Sequence, residues 1–370
     1  MDTARVEAVF HVRSESPSIE RRARAIAIEQ SVEMPLEAID DPAILRDIVG
    51  TVEGIRDLGG GLFEVRIGLA VATIGADAGQ LLNMVFGNTS LQEDVLLHDV
   101  ILPPELVAAF AGPRYGLAGL RRFVGARGRA MTCSALKPQG LAPERLAELA
   151  GRFARGRIDF IKDDHGIADQ PYAPFAVRVP AVAAAVRRAS EVSGHPTRYL
   201  PSLSGDLDRM RRQLRIAREE GLVAVLIAPV LAGVATLQAL AHEWPGIAFF
   251  AHPTFGGATR ISPALLIGKL FRLFGADAVI FPNFGGRFGY SPEMCRALAG
   301  NATALNPRLA ASVPVPAGGM TRERVPEILD FYGPDTMLLL GGSLLAAGAG
   351  LTEATLAFTE AVARHEQGPG

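Results

Sequence analysis

The stretch Gly156–His165, which reads GRIDFIKDDH, decides the fold. Its central part, Ile158–Ile161, is a short and nearly continuous apolar run, interrupted by Asp159, and such runs are typical of strands buried on both faces. The charged residues 162–165 follow this run directly. A buried strand with chemically active side chains at its carboxyl end is typical of the active-site end of a parallel α/β sheet. We therefore expect a functional site immediately after this strand.

Seven further runs of the same kind surround this stretch, each separated from the next by a segment of helical length and amphipathic pattern. Eight buried strands alternating with helices is the number that closes a parallel barrel. The sequence therefore predicts a C-terminal (β/α)8 TIM barrel over residues 123–370. The seven runs are Met131–Leu136, Arg198–Leu203, Val223–Ala228, Ile247–Ala251, Ala278–Phe281, Ser312–Pro316 and Thr336–Leu340.

The first part of the chain has a different pattern. Val6–Val12 and Leu62–Val71 are typical of strands, whereas Ile19–Val32 and Ala76–Phe86 have the spacing of amphipathic helices. Strands and helices mixed in so short a segment indicate a small α+β sandwich. We predict an N-terminal α+β, ferredoxin-like domain over residues 1–122.

Composition narrows the class of protein. The chain has 370 residues, of which 49% are hydrophobic and 21% charged, which excludes a disordered chain. Lys and Arg total 37 against 39 Asp and Glu, so there is no electrostatic signature of a nucleic-acid or anionic-membrane partner. Two cysteines are too few for a disulfide framework or a cysteine zinc site. With no apolar signal core or run of about 18–20 apolar residues, we expect a cytoplasmic protein.

The residues that follow the predicted strands share one rim of the predicted barrel. Lys137 follows the first strand, Lys162 and Asp164 the second, and His252 the fifth. Glycine pairs follow the seventh and eighth strands. Because active sites of barrels lie at the carboxyl ends of the strands, we expect these groups to meet.

These same residues resemble the RuBisCO superfamily. Its activation motif, Gly-x-Asp-Phe-x-Lys-x-Asp-Glu, resembles this stretch: Asp159–Asp164 match its Asp-Phe-x-Lys-x-Asp part, and His165 stands at the position of the Glu. The resemblance extends to Leu136-Lys137-Pro138, Gly87-Asn88, Gly318-Gly319-Met320 and Gly341-Gly342. It implies an N-terminal α+β domain, a C-terminal barrel, and a homodimer or higher homo-oligomer. In that assembly the partner's N-terminal domain, with Asn88, completes the active site.

Departures from the family pattern indicate a RuBisCO-like protein of the non-carboxylating form IV. His165 replaces the metal-binding Glu, and no lysine occurs in the loop 282–290, where carboxylases carry the group that orients CO₂. Pro253 and Phe281 replace an arginine and a histidine of the second phosphate site. Gln139 and Ala317 replace a lysine and a serine. Fixation of CO₂ on a bisphosphate is therefore excluded.

One phosphate site and one metal site remain under this resemblance. Backbone N–H groups at glycine turns can face an anion without obstruction from a Cβ. The residues expected to bind the phosphate and the rest of the substrate are Asn88, Gly318, Gly319, Gly341, Gly342 and Ser343. Lys162 as a carbamate, Asp164 and His165 are expected to hold a divalent metal. We expect Mg²⁺, although imidazole suits Zn, Mn or Fe better.

The expected chemistry is enolisation of a phosphorylated ketose, with Lys137, Lys162 and His252 as catalytic residues. The leading hypothesis is isomerisation of 5-methylthioribulose 1-phosphate in sulfur (methionine) salvage. Alternatives are 2,3-diketo-5-methylthiopentyl-1-phosphate enolase and 3-oxo-isoapionate-4-phosphate decarboxylase or transcarboxylase. A non-catalytic protein that binds a sugar phosphate is a further alternative.

Each site residue also has a purely structural interpretation. Lys137 could form an ion pair at the rim, and Asp163-Asp164-His165 could start a helix. His252 could be a hydrogen-bonded core histidine. The glycine pairs could be turns that need positive φ, and Asn88 could cap its own turn.

Overall fold

The computed structural model describes residues 4–365, which form two compact units. The first comprises the described residues up to Ala111 together with Phe255–Leu266. The second comprises Gly112–Thr254 and the described residues from Ile267 onward. The predicted domain boundary after residue 122 stays a prediction, but α5 (Gly116–Val124) lies within the second unit.

The first unit is built on a four-stranded antiparallel sheet. Its strands are β1 (Arg5–Arg13), β2 (Thr51–Gly59), β3 (Leu62–Ala70) and β4 (Val95–Ile101), in the spatial order β2-β3-β1-β4. Its helices are α1 (Ile19–Glu29), α2 (Pro42–Asp47), α3 (Ala78–Phe86) and α4 (Pro104–Phe110), with single 3₁₀ turns at Ser16–Ser18, Leu36–Ala38, Val71–Thr73, Asn88–Leu91 and Gly256–Ala258. The chain order β1-α1-β2-β3-α3-β4 with this strand order is the ferredoxin-like arrangement, as the sequence predicts.

The second unit contains eight strands and eleven helices within the described residues. The strands are β5 (Met131–Leu136), β6 (Phe160–Asp163), β7 (Arg198–Leu200), β8 (Ala224–Ile227), β9 (Ala248–Ala251), β10 (Ala278–Pro282), β11 (Val313–Ala317) and β12 (Met337–Leu339). The helices after α5 are α6 (Pro143–Arg155), α7 (Phe175–Ser193), α8 (Leu207–Glu219), α9 (Pro229–Ala232), α10 (Val234–Glu243), α11 (Phe271–Leu273), α12 (Pro292–Thr303), α13 (Val325–Tyr332), α14 (Gly342–Leu345) and α15 (Leu351–His365). Ala264–Leu270 is π-helical, and 3₁₀ turns occur at Arg322–Arg324 and Gly348–Gly350.

Alternate residues of the eight strands fill the interior of the barrel. Phe160, Leu226, Phe250 and Val315 belong to one buried cluster with the equivalent residues of the other strands. At the amino-terminal end of the strands, α5 packs against this cluster through Leu120 and Val124, which are fully buried. The barrel therefore has a closed floor, and its functional groups lie at the opposite end.

The eight parallel strands pair in two halves, β12-β5-β6-β7 and β8-β9-β10-β11. The halves meet at two junctions. After β7, the Leu226 N–H donates to the Pro201 carbonyl, 2.9 Å, and the Leu203 N–H donates to the Leu226 carbonyl, 2.8 Å. Between β11 and β12, Thr336 Oγ1 donates to the Pro314 carbonyl, 3.0 Å. Pro314 and Pro316 lie at alternate positions of β11, so both missing N–H donors face the same neighbour. Since β11 pairs regularly with β10, that neighbour is β12, and the prolines account for the seam between the halves.

Candidate active site

The alternation of β6 places its charged residues on opposite sides of the barrel wall. Phe160 and Lys162 point into the barrel, whereas Asp163 points outward and is fully buried. Asp163 accepts a hydrogen bond from the Tyr199 hydroxyl, 2.8 Å, and lies 3.1 Å from Arg178 Nη2. Asp163 therefore joins β6 to β7 and α7, and it is not available to a ligand in the barrel mouth.

Asp164 lies on the rim beside Lys137. Lys137 Nζ is 3.0 Å from Asp164 Oδ1, and His165 Nδ1 is 3.5 Å from the same oxygen. Burial raises the pKa of Asp164, but His165, Lys162 and Lys137 more than offset this and hold it well below its usual range. The ion pair expected by the structural interpretation of Lys137 is present, and it brings that amine to the second strand. No helix starts at residues 163–165, because α7 begins only at Phe175.

Lys162 is the buried amine of the site, with 3% of its surface exposed. Its Nζ donates a hydrogen bond to the Asp163 carbonyl, 2.9 Å. Burial lowers the pKa of Lys162, against the opposing attraction of Asp164. A lowered pKa favours the neutral amine, which is the nucleophilic form of a lysine.

His252 lies at the end of β9 and stacks on His165, with the ring centroids 4.3 Å apart. Its Nδ1 accepts a hydrogen bond from the Thr254 N–H, 3.2 Å, and also lies beside the Thr254 hydroxyl. This acceptor role leaves the ring proton on Nε2. Burial, and then the charge of Lys162, lowers the pKa of His252 to about 2. His252 is therefore a neutral imidazole and acts as a hydrogen-bond donor through Nε2.

The protein's own side chains supply an incomplete set of metal ligands. Within residues 4–365, no three His, Cys, Asp or Glu side chains are grouped so as to hold a metal ion. Asp164 and His165 provide one carboxylate and one imidazole beside the buried Lys162 amine. A carbamate on Lys162 would add the missing anionic oxygen ligand, so the donor set fits a divalent ion once that lysine is modified.

The glycine turns lie after β11 and β12, as the sequence predicts. Gly318 and Gly319 have φ angles of 85° and 79°, in the left-handed region that favours glycine. Around Gly341 and Gly342, in contrast, a Cβ would meet no atom within 4 Å, so packing does not require glycine there. The Ser343 hydroxyl donates to the Met320 carbonyl, 2.9 Å, and so connects the two loops.

Asn88 belongs to the first unit, whereas the residues of the rim belong to the second. It is exposed at the start of the 3₁₀ turn Asn88–Leu91, and its Nδ2 donates to Glu29 Oε1, 3.0 Å. Its predicted role at the site of a second subunit stays a prediction.

Two contributors to the site were not among the sequence-predicted residues. Thr254 fixes the tautomer of His252, and its position two residues after that histidine is the signal that could have indicated it. Arg178 neutralises Asp163 from within α7. A fully buried arginine in the first turn of a helix gives no such signal until the helix is placed against the strand.

Comparisons with known proteins place these features in a family. A family model described as "Ribulose bisphosphate carboxylase large chain, catalytic domain" matches residues 116–365. The chain belongs to the RuBisCO superfamily. Its relatives make it a RuBisCO-like, non-carboxylating member, as the motif of β6 predicted. Members of the RuBisCO-like family generally use a divalent metal such as Mg²⁺.

Curated and solved relatives cover almost the whole chain. A protein of Rhodospirillum rubrum named 5-methylthioribulose-1-phosphate isomerase is 59% identical over 98% of this chain and 97% of its own length. A Shouchella clausii protein named putative 2,3-diketo-5-methylthiopentyl-1-phosphate enolase is 30% identical, covering 97% and 99%. The crystal structure of a RuBisCO-like protein from Rhodopseudomonas palustris is 51% identical, with a TM-score of 0.92 and 99% of both chains covered. The predicted fold, a ferredoxin-like domain followed by a TIM barrel, is confirmed.

Among residues 4–365, no helix combines the length and the hydrophobicity that a bilayer crossing requires.

Proposed function

We propose that this RuBisCO-like protein is an isomerase of 5-methylthioribulose 1-phosphate. The observation that carries the proposal is the 59% identity, over 98% of the chain, to a protein with that name. The rim geometry supports it, because Lys137, Lys162 and Asp164 lie at one mouth of the barrel with His252. The relative named as an enolase shares about half as much identity, so we place that activity second.

Proton transfer is the task we assign to the lysines. Isomerisation removes a proton from one substrate carbon and returns a proton to another, with no net gain or loss of atoms. Lys137 is the half-buried rim amine, held 3.0 Å from Asp164, and we assign it this exchange. The neutral His252, fixed by Thr254, would donate a hydrogen bond from Nε2 to a substrate oxygen.

A metal site completed by Lys162 is the second part of the proposal. The neutral Lys162 amine would add to CO₂ and release a proton, giving a carbamate next to Asp164 and His165. A divalent ion bound there, with Mg²⁺ expected, would polarise the substrate carbonyl and stabilise the enediolate charge. The resemblance further supports a homodimer in which the first unit of a second copy, with Asn88, completes each site.

The phosphate of the substrate is assigned to the glycine loops. Gly319, Gly342 and Ser343 are exposed at the carboxyl ends of β11 and β12, where barrels commonly bind phosphate. The open space around Gly342 is consistent with a ligand, since nothing in the chain itself requires glycine there. We name the loop 317–321 loop seven and the loop 340–343 loop eight.

The test is ³¹P and ¹H NMR of 5-methylthioribulose 1-phosphate with the protein and Mg²⁺ in D₂O. We expect a new phosphate-ester resonance and deuterium at carbons one and three. Lys162→Ala should remove at least a hundredfold of this activity without unfolding the protein. Lys162→Met should be equally inactive. Because the methionine side chain fills the space that alanine leaves empty, inactivity of both variants would show that the loss is due to the missing amine and not to a cavity.

Alternative outcomes identify the competing functions. No turnover of this substrate, with enolisation of the diketo phosphate, would replace the proposal with the enolase. Release of CO₂ from 3-oxo-isoapionate 4-phosphate would support the decarboxylase. Binding of sugar phosphates without any turnover would indicate the non-catalytic protein. Full activity of both Lys162 variants would refute the metal site.

A further inference from the structure

The loop after β10, residues 282–290, packs against loop seven of the same unit. We name it loop six. The Asn283 N–H donates to the Ala317 carbonyl, 2.8 Å, and a Cβ on Gly286 would overlap the Gly318 carbonyl oxygen. Gly286 therefore permits a close approach between the backbones of the two loops. Loop six is thereby fixed beside the glycine turn assigned to phosphate.

Two exposed side chains of loop six lie at this contact. The Phe288 ring lies 3.3 Å from where a Cβ of Gly318 would be, and 59% of its surface is exposed. The Arg287 Cζ is 5.2 Å from the centroid of that ring. The Phe288 ring thus lies beside Gly318 and also against the Arg287 guanidinium.

Arg287 is the cation of this region that no acidic group neutralises. Among the described residues it forms no ion pair and no hydrogen bond. Arg324, the other arginine beside loop six, is paired with Glu327 through two contacts of 2.9 Å. Lys137 is engaged by Asp164, and Lys162 is buried. A free guanidinium thus stands beside an open turn of backbone N–H groups.

We propose that Arg287 binds the substrate phosphate together with loops seven and eight. Backbone N–H groups alone leave the charge of a phosphate dianion largely uncompensated, and a guanidinium offers two parallel N–H donors that match its oxygens. Phe288 is a positioning residue for Arg287. The inference rests on the proposed function for the identity of the sugar phosphate, but phosphate binding itself can be tested without turnover.

The test is isothermal titration calorimetry of the intact protein with inorganic phosphate and with 5-methylthioribulose 1-phosphate. We expect Arg287→Met to weaken both by about tenfold to a hundredfold, as for loss of a charge-assisted hydrogen bond. Arg287→Lys should restore part of the affinity, because charge returns without the planar fork. Arg296→Met is the matched control: Arg296 stacks on Phe331 at 4.6 Å in the helical layer, and its loss should leave both affinities unchanged.

Gly342→Ala provides an independent readout of loop eight. We expect it to weaken phosphate binding while leaving the melting temperature unchanged, because its Cβ would project into space that is open in the protein. If Gly342→Ala weakens binding and Arg287→Met does not, the loop assignment stands and the Arg287 proposal is overturned. Wild-type protein that fails to bind either phosphate also overturns it. Phosphate binding that depends on Arg287, in a protein that does not isomerise the substrate, supports the Arg287 proposal and refutes only the proposed function.

Discussion

Asp163 and Asp164 are adjacent in sequence, yet they occupy opposite sides of the barrel wall. Asp163 is enclosed with Arg178 and Tyr199 between the strands and helices, whereas Asp164 faces Lys137 at the mouth. The pleat of a strand, which alternates side chains between faces, produces this separation. One carboxylate is therefore enclosed in the barrel wall, and the other faces the mouth, where we propose that the chemistry takes place.

Substitution of the two aspartates should affect different properties, stability for Asp163 and turnover for Asp164. Asp163→Asn leaves the buried Arg178 charge uncompensated, so we expect a loss of about 3–5 kcal/mol in the free energy of unfolding. Asp164→Asn should cost less stability than Asp163→Asn, since its partner Lys137 is only half-buried, but should lower turnover at least a hundredfold. Urea unfolding and the NMR assay measure the two effects. Equal loss of stability in both variants would contradict the assignment.

Sequence indicated which residues meet at the rim, but not how each is held. Lys137, Asp164, His165 and His252 come together because residues after parallel strands share one end of a barrel. Which residues of β6 point into the barrel was harder to predict, because the predicted strand began at Ile158 whereas the observed strand begins at Phe160. The partners of Asp163 and the tautomer of His252 depend on contacts between elements that are distant in sequence.

At the scale of elements, the barrel strands and two strands of the first unit were predictable, whereas the other two strands of the first unit were not. All eight barrel strands fall within or beside their predicted runs, since nearly continuous apolar sequence marks them. β2 and β4 were not among the strands predicted from the sequence. β2 is exposed along most of its length, so it lacks an apolar alternation, and the pairing of β1 with β4 is interrupted between Val9 and Phe10.

Asp159 shows how a buried carboxylate at the start of β6 secures the floor of the barrel. It accepts hydrogen bonds from the Arg129 guanidinium, 2.6 and 2.7 Å, and from the Thr132 N–H, 2.8 Å. His195 Nε2 lies 3.1 Å away. Burial raises the pKa of Asp159, but the Arg129 hydrogen bonds more than offset this, so its pKa is lower than usual.

The stability contributed by Asp159 should depend on pH. Because the folded carboxyl binds its proton less tightly than the unfolded one, the contribution is complete above the unfolded pKa of about 4 and is lost as pH falls further. We expect Asp159→Asn to lower the free energy of unfolding by about 3–5 kcal/mol at pH 7, and by less at pH 3. Urea unfolding at both pH values measures this. Asp208→Asn, at an exposed carboxylate, is the control, and a difference that grows at pH 3 would refute the prediction.

At the scale of the whole molecule, the proposed shared site can be tested by complementation. If Asn88 acts at the site of a second copy, co-expressed Asn88→Ala and Lys162→Ala chains will form mixed dimers with one intact site. Random pairing makes half the dimers mixed, so about a quarter of all sites should be active, against near zero for either variant alone. Specific activity of the purified mixture measures this. Activity no higher than that of the separate variants would refute a site shared between copies.

The prolines of β11 also affect what a bound anion would do to the protein. Loop seven continues β11 and loop eight continues β12, so the two loops stand on opposite sides of the seam between the half-barrels. The β-ladder is interrupted at that seam, and side-chain hydrogen bonds of Thr336 and Ser343 cross it. A phosphate bound by both loops would connect the two half-barrels across this seam, and its release would remove that connection. Substrate binding would then stabilise the association of the two half-barrels, more strongly as more of the sites are occupied.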